Sequence, residues 1–287
     1  METEKRRNIE RNSKPKKKLI TFIILIISIA ALCTSAFIIL NWFKDNKRTN
    51  EIVNEVSEIA DVYEVKDNEN TEIINPPDKS TKETVPNDYW DFIKLPLISV
   101  NFDELIAKNK DTVGWINVNN TNINYPVVQT SNNDDYISTA FDGTKNQAGW
   151  IFADYRNNMK DFDRNTIIYG HSRLNKTMFG TLLNVMNKSW HTNKYNHVIK
   201  FSTPYENTMW QIFSVYKIEP ESYYLTTTFN NDSEYLTFLN TLKSRSIYNF
   251  NAEINQSDKI ITLSTCSDAA GTGRVVLHAK LIKKEAR

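Results

Sequence analysis

Two residues near the C-terminus have side chains and a spacing suited to acyl transfer. Cys266 directly follows a predicted strand over 259–265, and Arg274 opens the next predicted strand after a loop that contains glycine. If these two strands pair as a hairpin, Cys266 and Arg274 lie at the same end of it. The thiol could then attack a carbonyl carbon while the guanidinium meets the developing oxyanion. The alternative is that Cys266 is an inert, buried, small side chain.

A thiol nucleophile needs an acid–base partner, and the sequence contains 4 histidines. His171 ends a predicted strand in the run YGHS, where glycine permits a close turn and the imidazole can face a cleft. His191 and His197 flank a polar loop and are predicted to be solvated. His278 lies within a strand, which favours a structural role. His171 is therefore the expected partner of the thiol.

Short strands dominate the sequence around these residues. Eight segments rich in Val, Ile, Thr and aromatic residues are separated by clusters of Asn, Asp, Gly and Pro. Helices long enough for repeated parallel crossovers are few, so the pattern predicts a mainly β fold: a closed or nearly closed, mostly antiparallel, eight-stranded β-barrel. The predicted strands cover residues 113–118, 123–128, 149–153, 165–170, 197–202, 210–218, 259–265 and 274–282.

Helices are predicted before the barrel and between its strands. Asn101 followed by Glu104 has the spacing of a capping box and predicts a short helix. A second helix is predicted over 178–186 and a third, between late strands, over 233–243. The third is expected to face inward through Leu236, Leu239 and Leu242. Further upstream, the apolar residues at helical spacing that permit a short amphipathic helix are Ile52, Val56, Ile59 and Tyr63.

An uncharged run from Leu19 to Phe43 is long enough to span a bilayer as a helix. A cleaved secretory signal has a shorter apolar core and an exit of small residues, so the run predicts an uncleaved signal anchor. Eight basic residues against three acidic ones precede it, and the positive-inside rule predicts a cytoplasmic tail over 1–18. Everything after the span is predicted to be extracellular: a polar stalk or linker over 44–87 and a folded domain over 88–287.

The composition argues against several classes of function. The 35 Lys and Arg residues balance 34 Asp and Glu residues, which leaves no general field for nucleic acid. Two cysteines, one of them inside the apolar run, cannot build a disulfide scaffold. The paired aspartates at 134–135 and 161–163 do not follow a calcium-loop pattern. We therefore expect no metal, no cofactor and no nucleic-acid partner.

Four segments together resemble one known family. TLSTC at 262–266 with Arg274 after it, YGHS at 169–172 and GWIFADYRNN at 149–158 are similar to class B sortases, and VGWINV followed by INYPVVQ adds to the likeness. The resemblance extends from about Phe102 to Ile282. It implies a sortase β-barrel with N-terminal helices, in a membrane-anchored cysteine transpeptidase of Gram-positive-type bacteria.

The resemblance also implies a mechanism and partners. His171, Cys266 and Arg274 match the catalytic His, Cys and Arg of the family. Cys266 would cleave a C-terminal sorting signal similar to NPxTN after its Thr, through a thioester. The surface protein would then pass to an amino group of peptidoglycan or its precursor. The expected partners are therefore surface proteins that carry such a signal, a cell-wall amine, and the membrane through the N-terminal helix.

Substrate contacts are also carried over from the resemblance. The residues expected to meet the sorting peptide are Asn133, Ile137, Tyr169, Tyr224, Leu225 and Ser264. Other functions remain open from the residues alone: a pilin polymerase of the same fold, a non-catalytic binder of sorting signals, and another exported cysteine peptidase. Another exported cysteine peptidase would give no reason for Arg274 at the start of a strand.

Overall fold

The computed structural model describes residues 2–78, 87–219, 221–266 and 273–287, and their side chains from Lys18 onward except that of Cys266. The chain divides into two compact units, Met1–Arg48 and Thr49–Arg287. Helix α1 (Glu2–Ala60) begins in the first unit. From Lys18 it is long and apolar enough to cross a bilayer, with a mean hydropathy of 2.8 in its most apolar stretch. It is thus a candidate for the predicted span.

The second unit begins inside the segment that the sequence indicated as a polar stalk. Ile52, Val56 and Ala60, one helical turn apart, are fully buried and belong to the main core cluster together with Phe102 and Leu105. These residues make the end of α1 part of the folded unit, which therefore starts well before the predicted boundary at residue 88. Of the predicted stalk, residues 79–86 lie outside the described part of the chain.

Eight strands close into a barrel, as the sequence predicted. They are β4 (Thr112–Val118), β5 (Asn124–Val128), β6 (Phe152–Ala153), β7 (Asn165–His171), β8 (Val198–Ser202), β9 (Glu206–Ile218), β10 (Ile260–Cys266) and β11 (Arg274–Ala286). Their order around the barrel is β10-β7-β6-β5-β4-β8-β9-β11, and pairing between β10 and β11 closes the ring. Each of the eight predicted segments overlaps one of them. Most pairs are antiparallel, with β5–β6 and β7–β10 parallel.

Short elements decorate the barrel. Strand β2 (Thr71–Ile73) adds to the free edge of β11, and β1 (Tyr63–Val65) pairs with β3 (Leu97–Ser99). The side chain of Asn101 caps the helix after β3, but it accepts from the Asp103 amide and not from that of Glu104. The helices are α2 (Tyr89–Phe92), α3 (Phe102–Lys108), α4 (Lys188–Thr192) and α5 (Asp232–Ser244), and the 3-10 helices are Asp135–Ile137, Phe179–Met186, Lys194–Asn196 and Tyr223–Leu225.

Alternation along the strands divides the apolar residues between two cores. Ile261 and Leu263 of β10 belong to the main cluster, whereas Ile260 belongs to a second cluster that α5 covers. Helix α5 contributes Tyr235, Leu239 and Leu242 to it; Leu236, expected to face inward, is half-buried. Ile260 and Ser264 of β10 thus face α5 and the loop before it.

A buried ion pair between Lys280 and Asp258 holds β11 to the loop before β10. Both carboxylate oxygens of Asp258 lie 3.2 Å from Nζ of Lys280, and both side chains are at most 2% exposed. We expect Lys280→Met to lower the free energy of unfolding by about 3–5 kcal/mol, because it leaves the Asp258 charge buried without its cation. Urea denaturation monitored by circular dichroism measures this loss.

The same substitution at Lys284 is the matched control. Lys284 lies on the same strand, but its ion pair with Glu72 is solvent-accessible, so Lys284→Met should cost less than about 1 kcal/mol. Equal losses in the two variants would show that the buried pair contributes no more than a surface pair.

Candidate active site

Three neighbouring strands bring the predicted catalytic residues to one end of the barrel. In the parallel pair β7–β10, Cys266 is in register with His171. In the antiparallel pair β10–β11, Ser264 is in register with Val276. Continuing that register by two residues places Arg274 opposite Cys266. The backbone therefore aligns the three residues across adjacent strands, with the cysteine in the centre. The side chain of Cys266 and residues 267–272 lie outside the described part.

The imidazole of His171 is oriented by a backbone carbonyl. Its Nε2 lies 2.8 Å from the carbonyl oxygen of Ile137, at the end of the 3-10 helix Asp135–Ile137. A carbonyl oxygen only accepts hydrogen bonds, so Nε2 carries a proton and donates. The remaining ring nitrogen, Nδ1, is then the atom that can exchange a proton with a neighbouring reactant.

Gly149 is what allows the His171 ring and the Ile137 carbonyl to meet. It has a φ of +58°, and a Cβ at this position would lie 2.5 Å from the Tyr136 oxygen, 2.6 Å from the Ile137 oxygen and 3.0 Å from His171 Cδ2. Only glycine has both the conformational freedom and the lack of volume required here. The glycine that begins the predicted strand 149–153 is therefore part of the histidine's support, a role the sequence did not suggest.

We expect Gly149→Ala to lower kcat about 10-fold to 100-fold, because the added methyl group must displace the carbonyl that orients His171. The matched control is Gly143→Ala: Gly143 has a φ of +78°, but nothing lies within 4 Å of an added Cβ. Both variants should lose about 1–2 kcal/mol of stability from the positive φ. Only Gly149→Ala should lose more activity than its unfolded fraction explains. Equal activities of the two variants would contradict the role of Gly149 in positioning His171.

Arg274 donates to one of two buried hydroxyls that bind each other. Its Nη1 donates to the Tyr224 hydroxyl at 3.4 Å, and that hydroxyl lies 3.0 Å from Ser264 Oγ. Tyr224 and Ser264 are both fully buried, whereas Arg274 is half-buried. Tyr224 and Ser264 therefore lie behind the surface, where Tyr224 contacts the guanidinium and Ser264 contacts Tyr224. The guanidinium keeps its charge at all ordinary pH values.

A cleft of about 620 Å³ lies in front of Arg274. It is lined by Glu221, Ser222, Tyr223, Leu225 and Arg274. Of the residues expected to meet the sorting peptide, Leu225 lines this cleft, and the side chain of Ile137, near His171, is 40% exposed. These two are placed where a peptide could contact their side chains.

The remaining two predicted contact residues bind a buried carboxylate. The Tyr169 hydroxyl donates to Asp154 Oδ2 at 2.9 Å, and Asn133 Nδ2 donates to the same oxygen at 3.1 Å. Arg156 holds both oxygens of Asp154 through Nε and Nη2, each at 2.8 Å. Burial opposes ionisation of Asp154, but the hydrogen bonds from Arg156 and Tyr169 outweigh it and lower the pKa of this carboxyl. Asn133 also accepts from the Tyr155 amide.

The other histidines have different roles. His278 is fully buried, and burial lowers its pKa to about 3, so it stays neutral inside the barrel wall. Burial likewise lowers the pKa of His197 to about 4, and its ring stacks on that of His191. The predicted structural role of His278 agrees with this burial, whereas the solvated position expected for His197 is wrong because α4 and Phe250 enclose its ring.

Comparisons with known proteins show which family this chain is similar to. A family model described as the sortase domain matches residues 116–282. Sortase B of Staphylococcus aureus is 39% identical over 184 residues, 63% of this chain and 75% of the relative. Sortase B of Listeria monocytogenes is 35% identical over 183 residues, 63% and 74% respectively. The crystal structure of sortase B from B. anthracis in complex with AAEK1 has a TM-score of 0.67 at 31% identity, covering 84% of this chain and 99% of that one.

Proposed function

The chain belongs to the sortase family, among the class B cysteine transpeptidases, and on this basis we propose that it attaches surface proteins to the cell wall. The substrate we propose is a C-terminal sorting signal of the NPxTN type, cleaved after its Thr. The acceptor is an amino group of peptidoglycan or its precursor. The observation that carries the proposal is the alignment of His171, Cys266 and Arg274 on three adjacent strand ends.

In the first half-reaction, the thiol of Cys266 gives its proton to Nδ1 of His171, and the sulfur attacks the carbonyl carbon of the signal's Thr. The carbonyl oxygen becomes an oxyanion, which the fixed charge of Arg274 stabilises from the neighbouring strand. The C–N bond of the tetrahedral intermediate then breaks, and the leaving amine takes a proton from His171. What remains is a thioester between Thr and Cys266.

In the second half-reaction, an amine from the cell wall attacks the thioester carbon and His171 accepts the proton that this amine loses. The C–S bond breaks, the departing sulfur of Cys266 takes the proton back from His171, and a new amide joins the surface protein to the acceptor. Water in place of the amine gives hydrolysis. The Nε2 contact with Ile137 supports Nδ1 as the atom that moves the proton in both steps.

The N-terminal helix supports a matching location. We propose that residues 19–43 cross the membrane once, with the basic tail in the cytoplasm and the barrel outside the cell. Both substrates would then reach the cleft on the outer side of the membrane, close to where wall precursors are presented.

Mass spectrometry of peptide cleavage tests the proposal. The full chain in detergent micelles is mixed with NPxTN, NPxTG and LPxTG peptides, with and without triglycine as acceptor. The full chain is used because Ile52 and Val56 belong to the core. We expect cleavage after Thr, an acyl adduct on Cys266 and a triglycine conjugate; Cys266→Ala is the control. A folded wild-type protein that forms no adduct with any peptide would refute the proposal.

A further inference from the structure

One wall of the cleft is the turn Tyr223–Thr226, which consists of the 3-10 helix Tyr223–Leu225 and the residue after it. Tyr223 and Leu225 line the cleft next to Arg274, and the hydroxyl of Tyr224 accepts a hydrogen bond from the guanidinium. The turn has two short-range backbone bonds of its own, from the Leu225 amide to Ser222 and from the Thr226 amide to Tyr223. Its position relative to the barrel must therefore come from other contacts.

Two side chains, one on β7 and one in the loop after β6, donate to three consecutive carbonyls of this turn. Asn165 Nδ2 donates to the carbonyl of Tyr224 at 3.0 Å and to that of Thr226 at 2.9 Å. Arg156 Nη2 donates to the carbonyl between them, that of Leu225, at 3.1 Å. Three adjacent backbone acceptors thus bind to two side chains whose own positions are fixed elsewhere.

Arg156 is held by the buried carboxylate of Asp154, to which it donates two hydrogen bonds. The same carboxylate accepts from the Tyr169 hydroxyl, and Tyr169 precedes His171 by two residues on β7. The carboxylate therefore connects the middle of the cleft wall to the strand that carries the catalytic histidine.

Asn165 is held by a directed chain of hydrogen bonds through the core. Its Oδ1 accepts from the Thr262 hydroxyl at 2.7 Å, so this hydroxyl must accept from Nδ1 of His278, 2.9 Å away. A neutral His278 with its proton on Nδ1 then accepts at Nε2 from the Tyr216 hydroxyl at 3.1 Å. Tyr216 in turn accepts from Tyr223 at 2.6 Å.

This chain begins and ends at the turn. It starts at the hydroxyl of Tyr223 and returns through Asn165 to the carbonyls of Tyr224 and Thr226. Each hydroxyl donates once and each acceptor is satisfied, which fixes the direction of the amide of Asn165. Buried networks of this kind are rigid because every alternative arrangement leaves an unpaired polar group.

We propose that Arg156 and Asn165 are positioning residues that fix the turn Tyr223–Thr226 and thereby set the affinity for the sorting peptide. This inference rests on the proposed function, since it assigns the turn to the peptide-binding wall. Neither residue touches the reacting atoms. Arg156 holds the carbonyl of Leu225, which lines the cleft, whereas Tyr224, the partner of Arg274, stays held by Asn165. Loosening the turn at Leu225 therefore acts on peptide binding more than on the chemical step at Cys266.

Arg156→Lys tests the proposal. Lysine keeps a positive charge next to the buried Asp154 but lacks the fork that reaches both the carboxylate and the Leu225 carbonyl. We expect KM for the NPxTN peptide to rise about ten-fold with kcat within about two-fold, as for the loss of one hydrogen bond. Hydrogen exchange of the Leu225 and Thr226 amides should become faster in the full chain.

Arg164→Lys is the matched control. The side chain of Arg164 is 37% exposed and that of Arg156 is 39% exposed. Like Arg156, Arg164 pairs with an aspartate, Asp232, and donates to a backbone carbonyl, that of Asn231 at the start of α5. It performs the same type of contact away from the cleft. Its replacement should leave KM and the exchange of the turn unchanged.

The outcomes separate this inference from the proposed function. Peptide affinity is also measured by calorimetry with Cys266→Ala, with and without Arg156→Lys, where a ten-fold weaker Kd is expected without any turnover. Unchanged exchange of the turn, or unchanged Kd despite faster exchange, would overturn the positioning role. If kcat and the melting temperature of Arg156→Lys both fell, the effect would be general structural damage, and the positioning role would again be overturned. Binding without cleavage by the wild-type chain would refute the proposed function alone.

Discussion

His171→Gln is expected to lower kcat/KM for the sorting peptide by about 10²–10⁴-fold while leaving the melting temperature unchanged. Glutamine can still donate from its amide to the carbonyl of Ile137, which now binds Nε2 of the imidazole at 2.8 Å. It cannot accept or release a proton at the position of Nδ1. The substitution thus separates the orientation of the side chain from its acid–base function, which steady-state cleavage assays will measure.

His191→Gln provides the matched control. The Nε2 of His191 contacts the carbonyl of Asn249 at 2.9 Å, so the same ring-to-carbonyl bond is replaced in the same way at a remote site. We expect activity close to wild type. If His171→Gln kept more than about a fifth of wild-type activity, the assignment of the acid and base to His171 would be wrong, since general acid–base groups contribute far more.

Arg274→Lys is expected to lower kcat by about 10²–10³-fold, the range for removing one stabilising donor from a developing oxyanion. Lysine keeps the charge but loses the planar fork through which Arg274 contacts the Tyr224 hydroxyl. The loss should fall on kcat, because the interaction strengthens as the oxyanion forms. Single-turnover formation of the acyl adduct on Cys266 measures this step directly.

The remote Arg164→Lys variant again controls for an arginine-to-lysine change as such. Near-normal adduct formation by Arg274→Lys would favour the other class left open by the sequence. That class is a cysteine enzyme whose oxyanion site consists of backbone amides and does not need a guanidinium. The two variants at His171 and Arg274 therefore test different roles, proton transfer and charge stabilisation.

The reactive pair Cys266 and Arg274 could be predicted from the sequence because both lie in one hairpin. Strand propensity places each at a strand end, and a hairpin brings such ends together whatever the rest of the fold does. The strand count of the barrel follows from the same local signals, namely β-branched and aromatic runs between turn residues. The resemblance of the motifs then predicts the closed barrel that is observed.

The register of His171 with Cys266 depends on the parallel pairing of β7 with β10, strands far apart in the chain. Local patterns carry no information about which distant strands pair. The same holds for Ile52 and Val56: their helical spacing is visible in the sequence, but the core that buries them is formed by residues much further along.

By itself, the sequence determined the types of the reacting residues, the strands that carry them and the apolar helix before them, because propensity and spacing are local properties. Only the tertiary structure decided which polar side chains contact the cleft and which support it. Tyr169, Tyr224 and Ser264 were expected at the peptide and are buried in the structure, while Arg156 and Asn165 donate to the carbonyls of the cleft wall. A buried polar group must find its partner wherever the fold provides one, and that choice is made by packing between distant segments.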